Sequence, residues 1–222
     1  MDKEEKIRPS LLACDYLHVG RDMEDVCKLG LKKVHFDVMD GSFVNDITFG
    51  EPLYRALKKK FDGKLEFEVH LMVDTPFEHV ESFYEAGARE ISFHYENTSD
   101  RMDRVLRIKE NHPDLKLGLA ISPETKISSV YGLYNLFDYF LIMSVVPGKG
   151  GQKFIEESEE KLKMLSQFRK DNRLGFHIGM DGGIDAKRAK RLFSLGLDYA
   201  VTGSSYFNAE DRESFIKEAL SQ

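Results

Sequence analysis

Histidine and aspartate side chains recur inside three short, mostly apolar segments of the sequence. His35 and Asp37 lie in the first segment, His70 in the second and Asp181 in the third. A buried, unpaired carboxylate is costly to desolvate, and a divalent cation satisfies several such groups at once. Each residue alone could be an ordinary polar side chain at a strand end. Together, two imidazoles and two carboxylates predict one divalent metal site for zinc, iron(II), manganese or cobalt.

The alternation of side chains along a strand predicts that these residues share one face. Residues i and i+2 of a strand point the same way, so a polar set can face the interior while an apolar set faces a helix layer. The predicted inward residues are His35, Asp37, Met39, Glu68, His70, Met72, His177, Gly179 and Asp181. The predicted outward residues are Val34, Phe36, Val38, Phe67, Val69, Leu71, Phe176, Ile178 and Met180.

Three glycine-containing segments follow the last three candidate strands. They occupy residues 147–152, 181–183 and 203–205. Glycine lets backbone N–H groups approach an anion closely, and a following helix N-terminus adds a favourable dipole. Any one segment could be an ordinary tight turn. Their clustering in three consecutive loops favours a phosphate site.

Methionine is the third residue type that recurs near the ends of candidate strands. Met39, Met72 and Met143 occupy such positions. Methionine usually fills gaps in a hydrophobic core. Three on one rim are equally compatible with a soft, apolar wall over a reacting centre.

The elements that must position these residues alternate between short β-branched or apolar runs and charged, amphipathic segments. Eight candidate strands occupy residues 7–11, 33–39, 66–72, 90–94, 116–121, 139–144, 175–181 and 199–202. Helical spacing marks residues 53–60, 159–169 and 186–195, and helix stops are predicted at Gly30, Gly87 and Gly196. Alternating strands and helices predict a parallel sheet. Eight units in 222 residues favour a single α/β domain, a compact (β/α)8 TIM barrel covering residues 1–222.

The rival fold is an open, doubly wound sheet with a glycine-rich dinucleotide turn after its first strand. The residues after that strand, 12–15, contain no glycine, so the barrel is favoured. In barrels, active sites lie at the carboxyl ends of the strands, and phosphate often binds after strands seven and eight. The candidate metal ligands and the glycine-containing segments both fall at that end of the predicted strands.

The overall composition limits the classes of function. The net charge is −6 and 41% of residues are hydrophobic, which argues against a nucleic-acid partner and fits an ordinary globular enzyme. The two cysteines, Cys14 and Cys27, form no metal-type spacing and are expected to be plain thiols. The charged N-terminus resembles no signal peptide, and no apolar run is long enough to span a membrane. A cytoplasmic location and no membrane partner are expected.

Taken together, these motifs resemble the ribulose-phosphate 3-epimerase family over nearly the whole chain. The segments that carry the resemblance are residues 8–12, 35–41, 47–50, 69–72, 143–145, 147–154, 180–183 and 203–204. The resemblance implies a ribulose-phosphate-binding type of barrel, an isomerase of the pentose phosphate pathway, a phosphosugar substrate and self-association into a homo-oligomer. It implies epimerisation at C3 of a ketose phosphate through a cis-enediolate, most directly D-ribulose 5-phosphate to D-xylulose 5-phosphate.

The resemblance also implies roles for individual residues. Asp37 and Asp181 match the acid/base pair, and His35, Asp37, His70 and Asp181 match the metal ligands. The matched substrate-binding residues are Ser10, His70, Met39, Met72, Met143, Gly148, Lys149, Gly150, Gly151, Gly182, Gly183, Gly203 and Ser204. Ser10 matches a position near the substrate hydroxyls, and the methionines match a sulfur cap over the enediolate.

Several positions depart from the family pattern. Residues 43–48 lack a usual proline and gain Asp46, and Lys149 stands where phenylalanine is usual. Glu68 replaces the usual aspartate, and Gly179 replaces an inward glutamate near the metal. These departures suggest a divergent member and bear on the substrate more than on the chemistry.

Three alternative functions follow from the same residues. Allulose 6-phosphate would keep the acid/base pair and change the substrate. A non-catalytic phosphosugar-binding barrel is favoured only by Gly179. A related family of decarboxylases and aldol-type synthases carries lysine at the position of His70, so that reaction is disfavoured.

Overall fold

A computed structural model describes residues 2–221 and contains eight parallel strands in a barrel. The strands are β1 (Ile7–Pro9), β2 (Lys33–Met39), β3 (Glu66–Met72), β4 (Glu90–His94), β5 (Lys116–Ile121), β6 (Tyr139–Met143), β7 (His177–Asp181) and β8 (Tyr199–Thr202). They pair in the order β1-β8-β7-β6-β5-β4-β3-β2, and a parallel bridge between Ser10 and His35 joins β1 to β2. The predicted (β/α)8 TIM barrel is confirmed.

Helices pack around the barrel and cover its apolar outer face. They are α1 (Val19–Lys28), α2 (Glu51–Lys60), α3 (Pro76–Glu85), α4 (Met102–Asn111), α5 (Glu157–Asp171), α6 (Ala186–Ser194), α7 (Ser204–Phe207) and α8 (Arg212–Ala219). A 3-10 helix, Ile127–Leu133, lies between β5 and β6. No helix within residues 2–221 is long and apolar enough to cross a membrane.

The predicted outward face of the strands forms the core between the sheet and the helices. Val34, Phe36, Val69 and Ile178 are fully buried there. Gly30, Gly87 and Gly196 follow the ends of α1, α3 and α6 with positive φ angles of 80°, 100° and 104°, as helix-stop residues do. Cys14 and Cys27 are free thiols.

Five of the predicted strands have the predicted bounds, and three are shorter. The first strand ends at Pro9 because Ser10 caps a following 3-10 turn, Leu11–Ala13, by accepting a hydrogen bond from the backbone N–H of Leu12. The sixth strand ends one residue early, at Met143. The seventh begins at His177 instead of residue 175.

The prediction that His177 lies in the barrel interior was wrong. Its side chain is 47% exposed, and its Nδ1 lies 3.9 Å from Asp198 Oδ2. Because β7 begins at this residue, His177 lies on the open lower rim of the barrel. Strand alternation indicates which face of the sheet a side chain lies on. It does not indicate how far along the barrel axis the residue lies.

The barrel floor below the inward histidines is closed by buried charges and aromatic rings. The Arg8 guanidinium donates to Glu68 at 2.7 Å and to Glu90 at 2.9 Å, and Glu90 also pairs with Lys33. Tyr139 and Tyr199 lie beside this network with ring centroids 6.2 Å apart. Few charged groups are buried this deeply unless each is paired, as these are.

Candidate active site

Four side chains from three strands converge at the carboxyl end of the barrel. We call His35, Asp37, His70 and Asp181 the ligand cluster. One ligand atom from each residue lies within 4.8 Å of the others. His35 Nε2 is 3.2 Å from His70 Nδ1 and 3.3 Å from Asp37 Oδ1, and Asp181 Oδ2 is 3.7 Å from His35 Nε2.

These separations test whether a metal would fit among the four residues. Ligands at about 2.0–2.2 Å from a tetrahedral metal are about 3.3–3.6 Å from one another. The shorter separations match this spacing, and His70 Nδ1 lies 3.9 Å from Asp181 Oδ2. The set therefore fits one small divalent cation, with oxygen and nitrogen donors typical of zinc, iron(II), manganese or cobalt.

The second ring nitrogen of His35 faces a carboxylate. Nδ1 lies 3.2 Å from Glu68 Oε2, and Glu68 is fully buried. A carboxylate that accepts from Nδ1–H leaves Nε2 to face the ligand cluster.

A second histidine supports His70 in a comparable way. His70 Nε2 lies 3.0 Å from His94 Nε2, and His94 Nδ1 lies 3.0 Å from Glu96 Oε2. Burial lowers the pKa of His94 to about 4, so the ring is neutral. Glu96 is held as a carboxylate, with a pKa of about 2 that hydrogen bonds from His94 and Thr125 keep low against the effect of burial.

These protonation states determine the direction of the hydrogen bonds. The Glu96 carboxylate accepts from His94 Nδ1–H, so the Nε2 of neutral His94 can only accept. His70 must then donate from Nε2, which leaves its Nδ1 lone pair directed at the ligand cluster. Both histidines thus present an unprotonated nitrogen when a metal is bound.

The two aspartates of the ligand cluster differ in electrostatic environment. Burial raises the pKa of Asp181 to about 7, and Asp37 and Glu68 act in the same direction while His35 opposes them. Burial also acts to raise the pKa of Asp37, but the charge and hydrogen bonds of His35, with those of His70, hold it well below its usual range. Two carboxylates whose pKa values are driven apart are typical of an acid/base pair.

A cavity of about 310 Å³ opens above the ligand cluster. Both aspartates line it, and nearly all predicted substrate-binding residues do as well. These are Ser10, Met39, Met72, Met143, Gly148, Lys149, Gly150, Gly151, Gly182, Gly183, Gly203 and Ser204. His35 and His70 are fully buried and lie behind this wall, so the structure does not bring His70 to the cavity surface.

A sequence model of the Ribulose-phosphate 3 epimerase family matches residues 6–207. The ribulose-phosphate 3-epimerase of Aquifex aeolicus is 36% identical over 207 residues, which cover 93% of this chain and 91% of that protein. The ribulose-phosphate 3-epimerase of Escherichia coli K12 is 34% identical over 221 residues, covering 99% and 96%. This chain belongs to the ribulose-phosphate 3-epimerase family. It is therefore an isomerase of the epimerase class.

Solved structures of other proteins share the barrel of this family member. The 3-hexulose-6-phosphate synthase of Salmonella typhimurium aligns with a TM-score of 0.70 at 17% identity, covering 96% of each chain. The 3-keto-L-gulonate-6-phosphate decarboxylase of Vibrio cholerae aligns with a TM-score of 0.65 at 11% identity, covering 97% of this chain and 95% of that one. At such low identity these similarities show a common fold alone.

The glycines of the last three loops are packed so closely that side chains would not fit at several of them. We call residues 147–151, 182–183 and 203–204 the glycine loops. A Cβ at Gly183 would lie 2.5 Å from the backbone nitrogen of Phe154, and one at Gly182 would lie 2.3 Å from Val145. The loops after β6 and β7 are therefore in direct contact through backbone atoms.

The departure of this epimerase family member at Gly179 has a structural reason. A Cβ at Gly179 would lie 2.2 Å from the ring of Tyr199, so the tyrosine occupies the space of an inward side chain. A carboxylate reaches the cluster from β3 instead, because Glu68 contacts His35. Gly179 itself provides no carboxylate, as the sequence predicts, and Glu68 is the carboxylate that contacts the cluster.

Three supporting residues, Arg8, His94 and Glu96, were not predicted from the sequence, and neither were the contacts of Glu68. Arg8 and the specific contacts of Glu68 carry no sequence signal, because they depend on contacts across the barrel. His94 could have been found. His94 ends β4 in phase with Glu90 and Ser92, so the alternation rule that located His35 and His70 applies to it as well.

Proposed function

We propose that this protein catalyses metal-dependent epimerisation at C3 of a ketose phosphate, with D-ribulose 5-phosphate and D-xylulose 5-phosphate as the interconverted pair. The observation that carries the proposal is the pair Asp37 and Asp181, which line one cavity beside a metal-compatible set of ligands. The names of the relatives support the substrate, since two of them are ribulose-phosphate 3-epimerases at 34–36% identity.

Inversion of a carbon next to a ketone requires removal of its proton from one face and delivery of a proton to the other. Asp37 and Asp181 come from β2 and β7 and line the same cavity, so each can serve one face. One carboxylate accepts the proton while the other, in its acid form, returns one, and the roles exchange with direction. The intermediate between the two transfers is a cis-enediolate.

The cation held by His35, Asp37, His70 and Asp181 would supply Lewis-acid stabilisation of the developing negative charge. The chain's own part is to orient the acid/base pair. Ser10 Oγ donates to Asp37 Oδ2 at 2.6 Å, while Oδ1 of the same carboxylate faces the histidines. Asp37 is thereby held in one rotamer, with one oxygen for the cluster and one at the cavity wall.

The methionines form the apolar part of the cavity wall. Met39, Met72 and Met143 line the cavity and are only 2–4% exposed. Such a wall excludes water from the reacting carbons. Water at this position would otherwise protonate the intermediate.

The glycine loops are proposed to bind the phosphate through backbone N–H groups. The first loop is held in shape by Gln152, whose side-chain amide donates to the carbonyls of Val146 at 2.6 Å and Lys149 at 2.7 Å. The exposed Lys149 ammonium at the cavity rim would add a charge contact to the phosphate.

The test is a turnover assay of purified protein, metal-loaded and metal-stripped, with D-ribulose 5-phosphate and D-allulose 6-phosphate in parallel. Metal-dependent conversion of the pentulose phosphate is the expected result. Turnover of the hexulose phosphate alone would keep the chemistry and change the substrate. Absence of turnover with both substrates, in folded protein that contains metal, would contradict the proposal.

A further inference from the structure

Two buried tyrosines in the barrel floor each fill the space over a glycine and differ in the hydrogen bonding of their hydroxyl groups. Tyr139 lies over Gly118 and Tyr199 lies over Gly179, with each ring filling the space where a Cβ would be. They are 3% and 1% exposed. The Tyr199 hydroxyl donates to Glu68 Oε1 at 3.0 Å, whereas the Tyr139 hydroxyl has no hydrogen-bond partner among the described residues.

Glu68 is held at both of its carboxylate oxygens. Oε1 accepts from Tyr199, and Oε2 lies 2.7 Å from the Arg8 guanidinium and 3.2 Å from His35 Nδ1. The Arg8 guanidinium also stacks on the Tyr199 ring, 3.6 Å from its centroid. A carboxylate with every partner in place in a dry interior has one orientation.

We propose that Tyr199 and Arg8 are positioning residues that hold Glu68 in the one rotamer in which its Oε2 accepts from His35 Nδ1–H. This contact turns the Nε2 of His35 toward the other three members of the ligand cluster. The inference deepens the proposed function and rests on it for the identity of the cluster as a metal site. The alternative is that Glu68 serves only to neutralise Arg8 and has no effect on His35.

The two tyrosines offer a matched pair of variants. Tyr199→Phe removes the hydroxyl that holds Glu68 and keeps the ring over Gly179 and beside Arg8. Tyr139→Phe removes an equally buried hydroxyl that has no hydrogen-bond partner within residues 2–221. Both keep the interior packed, so both are expected to fold, which circular dichroism melting curves would verify. Glu68→Gln removes the negative charge of the acceptor directly. It therefore sets the upper limit of the effect on metal affinity.

The first measurement is the affinity of the metal-stripped protein for Co²⁺, by calorimetry, together with the visible spectrum of the Co²⁺ complex. Loss of an outer partner of a metal ligand typically weakens affinity about 10- to 100-fold. We expect a loss in that range for Glu68→Gln, about fivefold to tenfold for Tyr199→Phe with an altered spectrum, and less than twofold for Tyr139→Phe. Equal affinities and spectra for the two tyrosine variants would overturn the inference.

The second measurement needs no metal. The proton on Nδ1 of His35, shielded in the interior and bonded to a carboxylate, should give a slowly exchanging downfield signal in the proton NMR spectrum. We expect this signal in the wild type and in Tyr139→Phe, and its shift or loss in Tyr199→Phe. An unchanged signal in Tyr199→Phe would refute the positioning role. A wild type that keeps the signal and takes up no Co²⁺ would instead refute the proposed metal site and leave the positioning of His35 supported.

Discussion

The ligand cluster and the glycine loops meet in one cavity, yet they are built in opposite ways. The cluster consists of titratable side chains on strands, from 0% to 16% exposed, and its two histidines each have a further partner behind them. The glycine loops present backbone, and at Gly148, Gly182 and Gly183 a Cβ would clash with a neighbouring loop. Proton transfer needs side chains with tuned pKa values in rigid positions. Anion binding needs only close access to backbone N–H groups.

The largest effect that this comparison predicts comes from the two aspartates. Asp37→Asn and Asp181→Asn each keep the shape of the side chain and remove the base, so turnover should fall by at least about 10³-fold. The measurement is kcat on D-ribulose 5-phosphate with the metal content determined in the same samples and the fold checked by melting. Substantial turnover in either variant, with metal bound, would contradict the acid/base assignment.

A substitution in the glycine loops should act on substrate binding. Gly183→Ala places a methyl group 2.5 Å from the Phe154 backbone nitrogen at a φ of 65°, so the loops after β6 and β7 must move apart. We expect KM to rise about tenfold or more with a smaller change in kcat, because the loops are proposed to bind the phosphate through backbone N–H groups.

The matched control for that substitution is Gly150→Ala in the same group of loops. Its Cβ would lie 3.7 Å from Leu12, an ordinary contact, and its φ is not in the left-handed region. We expect less than about a threefold change in KM for this variant. Equal effects of the two variants would show that close packing of the loops is not what shapes the phosphate site.

The pH dependence of metal binding should separate the two regions further. The raised pKa of Asp181, about 7, means that its carboxyl is protonated below pH 7 in the metal-free protein. The pKa of His35 is also raised, since Asp37 and Glu68 outweigh the opposite effect of burial. Metal ligands must be deprotonated, so affinity should rise about tenfold per pH unit for each proton released.

Calorimetry of Co²⁺ binding in two buffers of different ionisation enthalpy would count the protons. We expect release at pH 6 to be larger in the wild type than in Asp181→Asn by about one proton, and this difference to vanish above about pH 8. The glycine loops contribute no titrating side chain of this kind. Identical proton release from both proteins at pH 6 would show that Asp181 is already ionised.

The smallest effect is expected from the exposed charge at the rim. Lys149→Ala should raise KM about twofold to fivefold at low salt, leave kcat unchanged and lose its effect as ionic strength rises, because exposed charges are screened. Lys153→Ala is a control in the same loop, since Lys153 does not line the cavity. A large loss of kcat in Lys149→Ala would indicate a role beyond attraction of the phosphate.

Much of the fold could be predicted from the sequence, because strand alternation and helical spacing are local properties of the chain. The bounds of β2, β3, β4, β5 and β8 agree with the prediction, and the inward phase of His35, Asp37, His70 and Asp181 follows from side-chain alternation alone. The positions of the glycine loops could also be predicted from the sequence, because glycine occurs where the backbone must approach another group closely.

Other features were decided by the tertiary structure. The first strand ends early because Ser10 caps a turn, and His177 lies on the rim because its strand begins there. Neither outcome can be read from alternation, which indicates the face of a strand and carries no information on where along the barrel axis the strand begins.

The contacts behind the histidines were also beyond the sequence, although alternation could have placed His94 on the inward face. Glu68 meets Arg8 across 60 residues and Tyr199 across 131, and His70 meets His94 across 24. The sequence by itself determined the inward phase of the ligand cluster and predicted which loops bind an anion. Only the closed barrel decided which long side chains meet, because such contacts depend on the relative heights of strands that are far apart in the chain.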